Sequence, residues 1–281
     1  MTESGFLETN GARIYYEVDG AGEPVVLIHA GVANLRMWDE QVPALADAYR
    51  VIRYDTRGFG RTETEDVPFS NRADIAALLD HLGEVSAHIV GISRAGQIGL
   101  DFALESPERV RSLVVANGGV SGYDAPGGDP SAWEQAEKWE EARDWERLAA
   151  WEADFWVNGE GQPPGRADRA IRDRVHAWIL TNYQAEKAEG QPQVLDPPAV
   201  GRLSELRLPL LVIIGSVDEA STQAACRYLA ENVSGARLEV FEGAAHMVNM
   251  EQPDRFNRLL KDFLDANSSA VVAASGSARQ G

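Results

Sequence analysis

No stretch limits the fold of this chain more than Ala87 to Gly96. An apolar run through Ile89 and Val90 halts at Gly91, Ser93 follows two places on, and Ala95 and Gly96 precede a second apolar run. This is the pattern of a strand that turns sharply into a helix. With Ser93 at the apex, the residues two places to either side must be small, because strand and helix pass close together there. Such a turn lifts one hydroxyl above the sheet and aims the first N–H groups of the helix at whatever bonds to it. A serine before a helix is also the usual N-cap, so the rest of the chain has to decide whether Ser93 is a nucleophile.

Around this turn the chain reads as strands alternating with helices. Residues 6–18 alternate about Asn10-Gly11, with Ile14, Tyr16 and Val18 opposite Arg13, Tyr15 and Glu17, which predicts a hairpin with one buried face. Val25 to Ile28 is continuously apolar, as a central strand must be when helices cover both of its faces. It runs into His29-Ala30-Gly31. Leu35 to Tyr49 carries Trp38, Val42 and Leu45 at helical spacing, with Pro43 predicting an irregular start. Val51 to Tyr54 is the next strand, and the Asp55 to Thr62 loop after it reads as a turn tied by its own side chains. Ser70 or Asn71 caps a helix bearing Ile75, Leu78, Leu79 and Leu82; the helix after Ser93 stops before Pro107, and Val110 to Val115 is again a strand. The predicted class is α/β, a mostly parallel sheet with helices on both faces.

The character changes in residues 121–200, which lack strand-like apolar runs but hold six of the seven tryptophans. Trp133, Trp139, Trp145 and Trp151 recur every sixth residue, a spacing that scatters them around one continuous helix. Several short helices in an inserted cap are therefore expected, with Gly/Pro-rich margins on either side. Most of these tryptophans should pack, and a few should line a pocket if the cap covers Ser93. The expected division is a core of 1–120 and 201–266, a cap of 121–200 and a flexible tail of 267–281.

Composition removes several alternatives. Asp and Glu outnumber Lys and Arg by 44 to 26, a formal charge of −18, which argues against nucleic acid and anionic membranes as partners. Anionic substrates would have to be recognised locally rather than steered in. Cys226 is the only cysteine, so an internal disulfide or multi-cysteine metal site is impossible, and it is expected to pack as a small hydrophobe. A polar first ten residues and the lack of an uninterrupted apolar run of about 18 residues lead to the expectation of a soluble cytoplasmic protein.

A serine nucleophile needs a base, and the base an orienting acid. Of five histidines, His81 lies on an amphipathic helix, His88 inside a strand and His176 in the cap. His29 ends a strand on the correct side, but Ala30 and Gly31 beside it suit backbone donors. His246 sits just past the Arg237 to Phe241 strand in a loop of small residues, and Asp218 just past the Leu210 to Gly215 strand. Ligand and catalytic groups of parallel sheets collect on that edge, and the order Ser93, Asp218, His246 fits this architecture.

Taken together, His29-Ala30-Gly31, Asp55-x-Arg57-Gly58-x-Gly60-x-Thr62, Gly91-x-Ser93-x-Ala95-Gly96, Gly215-x-x-Asp218 and Gly243-x-x-His246 resemble the α/β-hydrolase superfamily over all but the final tail. Leu35 to Trp38, Arg53 to Gly58 and Ala245 to Pro253 look most like the 3-oxoadipate enol-lactonase group. Ala30 and Ala95 stand where many relatives have Gly, and Arg94 directly follows the serine. The resemblance implies a serine hydrolase of a small ester or lactone, with Ser93, Asp218 and His246 as triad, the N–H groups of Gly31 and Arg94 as oxyanion hole, and no cofactor. Trp156, from its place in the cap, and Met247, beside His246, are the candidate substrate-binding residues. The Arg94 side chain has two readings, a structural tie or a grip on a substrate carboxylate. The same triad also serves perhydrolases, haloperoxidase-type enzymes and carbon–carbon hydrolases, and some members of the fold bind ligands with little turnover; oligomeric state is left open.

Overall fold

A computed structural model describes residues 2–268 of the chain, other than 129, 186 and 189. Of the tail expected at 267–281, only Asn267 and Ser268 fall within them, closing the last helix; the rest lies outside the described residues.

Eight main strands build the sheet: β1 (Glu3–Thr9), β2 (Ala12–Asp19), β3 (Glu23–Ile28), β4 (Tyr49–Tyr54), β5 (Ala87–Ile92), β6 (Val110–Ala116), β7 (Leu210–Gly215) and β8 (Arg237–Phe241). Their spatial order is β1-β2-β4-β3-β5-β6-β7-β8, and a two-residue strand, Glu63–Thr64, adds to the edge of β2. Pairing is parallel from β4 through β8, and antiparallel where β2 meets β1 and β4. Helices α1 (Asn71–His81), α2 (Arg94–Glu105), α6 (Ala220–Asn232) and α7 (Pro253–Ala266) flank the sheet. Between β6 and β7 lie α3 (Pro130–Glu141), α4 (Trp145–Asn158) and α5 (Arg169–Gln184).

Alternation along the central strands explains why they read as unbroken apolar runs. Val26, Ile28, Ile89, Leu113 and Val115 face one core layer with α1, α2 and α6, while Val25, Leu27, Val90, Val114 and Ala116 face a second with Trp38 and α7. Both faces are covered, so most side chains on either one are apolar. Cys226 is buried in the first layer, its Sγ donating to Gly118 O at 3.3 Å, and burial pushes the thiol up to about 12. The Leu35 to Tyr49 segment divides into a 3-10 turn, Leu35–Trp38, and a short helix, Val42–Leu45, with Pro43 in its first turn.

The hairpin departs from the expected one buried face. Tyr15 and Glu17, on the supposedly open side of β2, are as buried as Ile14 and Val18. Glu17 accepts from Tyr15 Oη at 2.8 Å and from Arg53 Nη2 at 2.8 Å, and is paired with Arg36. The Arg61 guanidinium lies 3.8 Å from the centre of the Tyr15 ring. A carboxylate can sit inside when its oxygens are matched in this way; alternation alone does not reveal the covering loop.

The tryptophans of residues 121–200 fall on separate helices. Arg143, with φ +53°, breaks the chain between α3 and α4. Trp133 of α3 then meets Trp151 and Trp156 of α4, with ring centroids 4.9 and 5.7 Å apart, and Trp145 stacks on Tyr183 of α5 at 5.1 Å. One short pairing goes unpredicted, Gln191–Pro192 against Pro68–Phe69. It rests mainly on backbone bonds, Gln191 N to Val67 O and Gln193 N to Phe69 O, with one exposed side-chain bond from Gln191 to Asp66, and backbone bonds leave no side-chain pattern to read.

Candidate active site

Ser93 stands between the end of β5 and the start of α2 with φ +62° and ψ −131°, a backbone region that L-residues rarely occupy. Its N–H is held by Ala116 O at 2.9 Å. The side chain makes no capping bond to the helix, so the ordinary N-cap role is not filled. Crowding explains the small neighbours: a Cβ on Gly91 would lie 2.3 Å from Ala95 O, and one on Gly96 would lie 2.9 Å from Val115 Cγ1.

Asp218 and His246 leave the ends of adjacent strands, β7 and β8, and meet with His246 Nδ1 2.8 Å from Asp218 Oδ2. Both are almost fully buried. Since the carboxylate accepts, Nδ1 carries the proton and Nε2 is left to take another. Asp218 Oδ1 accepts from the Glu219 N–H at 2.8 Å, which fixes the carboxylate plane. Among the described residues, no hydrogen bond joins the Ser93 hydroxyl to His246. Catalytic hydrogen bonds are often long before substrate binds and tighten in the complex.

Sequence reasoning missed the residue that organises this edge. Asn117, at φ +45°, donates through Nδ2 to Ala245 O (3.1 Å) and His246 O (2.8 Å) and accepts at Oδ1 from Gly215 N (2.8 Å). One amide thus ties the end of β6, the end of β7 and the histidine loop. Its only sequence signal was an Asn at a strand end, which is also an ordinary turn residue. Glu251 adds a second clamp, accepting from Ala245 N at 2.8 Å and pairing with Arg166.

Gly31 and Arg94 border a cavity of about 380 Å³ together with Gly58, Phe59, Glu152 and Trp156. That volume suits a small ligand. The Trp156 ring also packs on His246, with centroids 4.4 Å apart, and its carbonyl accepts from His246 N at 3.2 Å. Met247 takes a different place from the one expected. It is fully buried in the second core layer and is not part of this cavity wall, because the Val248–Glu251 helix starts there and turns its side chain inward.

The Asp55 to Thr62 loop is tied as expected, Asp55 accepting from Leu35 N (2.8 Å) and Arg61 N (2.7 Å). It also supplies cavity wall through Arg57, Gly58 and Phe59, which the sequence did not suggest. Arg57 is neutralised by a two-pronged bond to Asp74, both contacts 2.8 Å. The Arg94 side chain donates to Thr56 Oγ1 at 2.8 Å, and its guanidinium lies 4.9 Å from the centre of the Phe59 ring. These contacts favour the structural reading. Arg94→Ala is then expected to leave the ratio of kcat/KM for a carboxylate-bearing ester over its neutral analogue within about twofold, since a lost carboxylate grip removes charge-assisted bonds and changes the ratio far more. A selective rise in KM for the acidic ester would establish the other role.

His29 anchors the neighbouring loop as a neutral ring. Nδ1 donates to Ala30 O at 2.7 Å, and Nε2 accepts from the Thr56 N–H at 3.0 Å. Burial pulls its pKa down to about 3, with nearby Arg94 acting in the same direction. In the unfolded chain a histidine takes up its proton near pH 6.5. Below that pH the unfolded state binds a proton that the folded state refuses, so stability is present above about 6.5 and is lost progressively towards pH 3, by up to about 1.4 kcal/mol per pH unit. Burial lowers His88 as well, which adds to the slope. Urea midpoints between pH 7 and 4 should fall steeply, and less steeply in His29→Gln; parallel slopes for the two proteins would disprove this assignment.

A doubly covered parallel sheet, a serine on a strained strand-to-helix elbow and an Asp–His pair on the same edge define a class of enzyme-like α/β proteins. The chain belongs to the alpha/beta hydrolase fold family, whose model matches residues 23–253. It is 31% identical to 3-oxoadipate enol-lactonase 2 of Acinetobacter baylyi, over 91% of this chain and 94% of that protein. It is 30% identical to the 2-hydroxy-6-oxononadienedioate/2-hydroxy-6-oxononatrienedioate hydrolase of Burkholderia vietnamiensis, over 90% and 91%. Among solved structures, the enol-lactonase from Burkholderia xenovorans superposes with a TM-score of 0.74 at 27% identity, covering 92% of this chain and 99% of that one. Among the described residues, no helix is long and apolar enough to cross a membrane.

Proposed function

We propose that the protein is a serine hydrolase that cleaves a small ester or lactone through an acyl-enzyme. The observation that carries this reading is Ser93 itself, held at φ +62° with a hydroxyl that caps nothing. Strain of this kind costs about 1–3 kcal/mol and persists where the surroundings enforce it. In the reaction, His246 Nε2 takes the Ser93 proton as the oxygen attacks the acyl carbon. Asp218 holds the ring and stabilises its cationic form, and the N–H groups of Gly31 and Arg94 receive the developing oxyanion. The leaving alcohol departs with the proton, and water repeats the steps on the acyl-enzyme. Residues 121–200 act as a cap over a core of 1–120 and 201–266, with Trp156 as wall between cap and base.

The relatives' names support hydrolysis of lactones and of related oxo-acids. Carbon–carbon hydrolysis and perhydrolysis use the same triad, and a ligand-binding member retains the fold. A fluorophosphonate probe with a panel of short-chain aryl esters and lactones separates these readings. Labelling of Ser93 with turnover of the panel is expected; an unlabelled protein that turns over none of it would favour binding.

A further inference from the structure

The cavity beside the elbow carries a carboxyl group that the proposed chemistry does not use. Glu152 lies on α4, one turn before Trp156, and is 8% exposed, yet it forms part of the cavity wall. Tyr183 Oη of α5 donates to its Oε1 at 2.8 Å. The groups that act on the carboxyl are this hydroxyl and the repelling charge of Glu140 on α3; no cation acts on it among the described residues. Of the cavity's arginines, Arg57 is neutralised by Asp74, while Arg94 donates to the neutral Thr56 hydroxyl.

We propose that Glu152 determines specificity, admitting substrates whose acyl chain presents an ammonium, N–H or O–H group and rejecting those that present a carboxylate. This rests on the hydrolytic reading above and names its substrate class. A donor entering the cavity gives the buried carboxyl a charge-assisted partner, the strong kind of hydrogen bond. A second carboxylate beside Glu152 would meet a like charge, which a neutral or cationic group does not. The formal charge of −18 over the whole chain biases approach in the same sense. Burial pushes the Glu152 carboxyl up to about 7. Cation selection therefore strengthens as pH rises through neutrality and the group ionises, opposed by Glu140 and moderated by Tyr183, which favours the charged form.

The test uses 4-nitrophenyl esters of equal acyl length ending in ammonium, hydroxyl, methyl or carboxylate, on the wild type, Glu152→Gln and Tyr183→Phe. The wild type is expected to favour the ammonium ester over the carboxylate ester at least tenfold in kcat/KM. Glu152→Gln should collapse that ratio towards one, with the change in KM. The preference should grow between pH 6 and 8 in the wild type, shift to higher pH in Tyr183→Phe and be flat in Glu152→Gln. A merely structural Glu152 would lower all four esters by one factor, and this overturns the proposal, as does a wild type that prefers the carboxylate ester. Calorimetric titration with the matching methyl ketones, which lack a leaving group, reads the preference without turnover. Loss of all hydrolysis with ordered ketone binding would sink the hydrolytic reading alone, whereas equal or absent binding of the ketones sinks this one.

Discussion

Replacing Ser93 with Ala is expected to lower kcat on a short-chain aryl ester by at least about 10⁴-fold while leaving the thermal midpoint close to that of the wild type. Alanine removes the only atom proposed to attack and keeps the same Cβ in the same strained backbone, so stability should hardly move. Ser93→Gly separates the two properties. Glycine occupies φ +62° at no steric cost, so it should abolish turnover equally and raise stability by about 1 kcal/mol, within the range that strain relief allows. Esterase assays with thermal melts check both. An Ala variant retaining a tenth of wild-type kcat would remove Ser93 from the chemistry, and a Gly variant less stable than Ala would remove the strain.

Asp218→Asn is expected to lower kcat by a comparable factor, about 10⁴-fold, through the tautomer of His246. The Glu219 N–H donates to Oδ1 at 2.8 Å, so the substituted amide keeps its oxygen there and turns its NH₂ towards His246 Nδ1. The ring must then accept at Nδ1 and carry its proton on Nε2, the atom that needs to receive the serine proton. Size and burial hardly change, so melts should stay close to wild type while kcat collapses. A variant within tenfold of the wild type would mean that His246 is not the base.

The contrast between these residues and Glu152 shows which features a linear reading can reach. Ser93 was legible because its requirements are local: the small residues two places away answer a clash between a strand and the helix that directly follows it. Asp218 and His246 are candidates by position, three and five residues past the ends of their strands, since a parallel sheet gathers such ends on one edge. Glu17 was misjudged as open because alternation reports which residues share a face and says nothing of a loop folding over that face. Met247 was judged by its proximity to His246 in sequence, yet one residue further along the backbone begins a helix that turns it into the core.

By itself the sequence determined the alternating architecture, the elbow and the order of the Ser, Asp and His, because these follow from sterics and hydrophobic periodicity acting between near neighbours. Only the tertiary structure decided that Asn117 binds two strand ends to the histidine loop, that Arg94 is tied to Thr56, and that Glu152 borders the cavity with Tyr183. Each of those contacts joins residues that stand from about thirty to more than a hundred positions apart. A carboxylate on an amphipathic helix is normally solvated, and nothing in its immediate neighbours signals that a tyrosine thirty-one positions on will bond to it where it is buried.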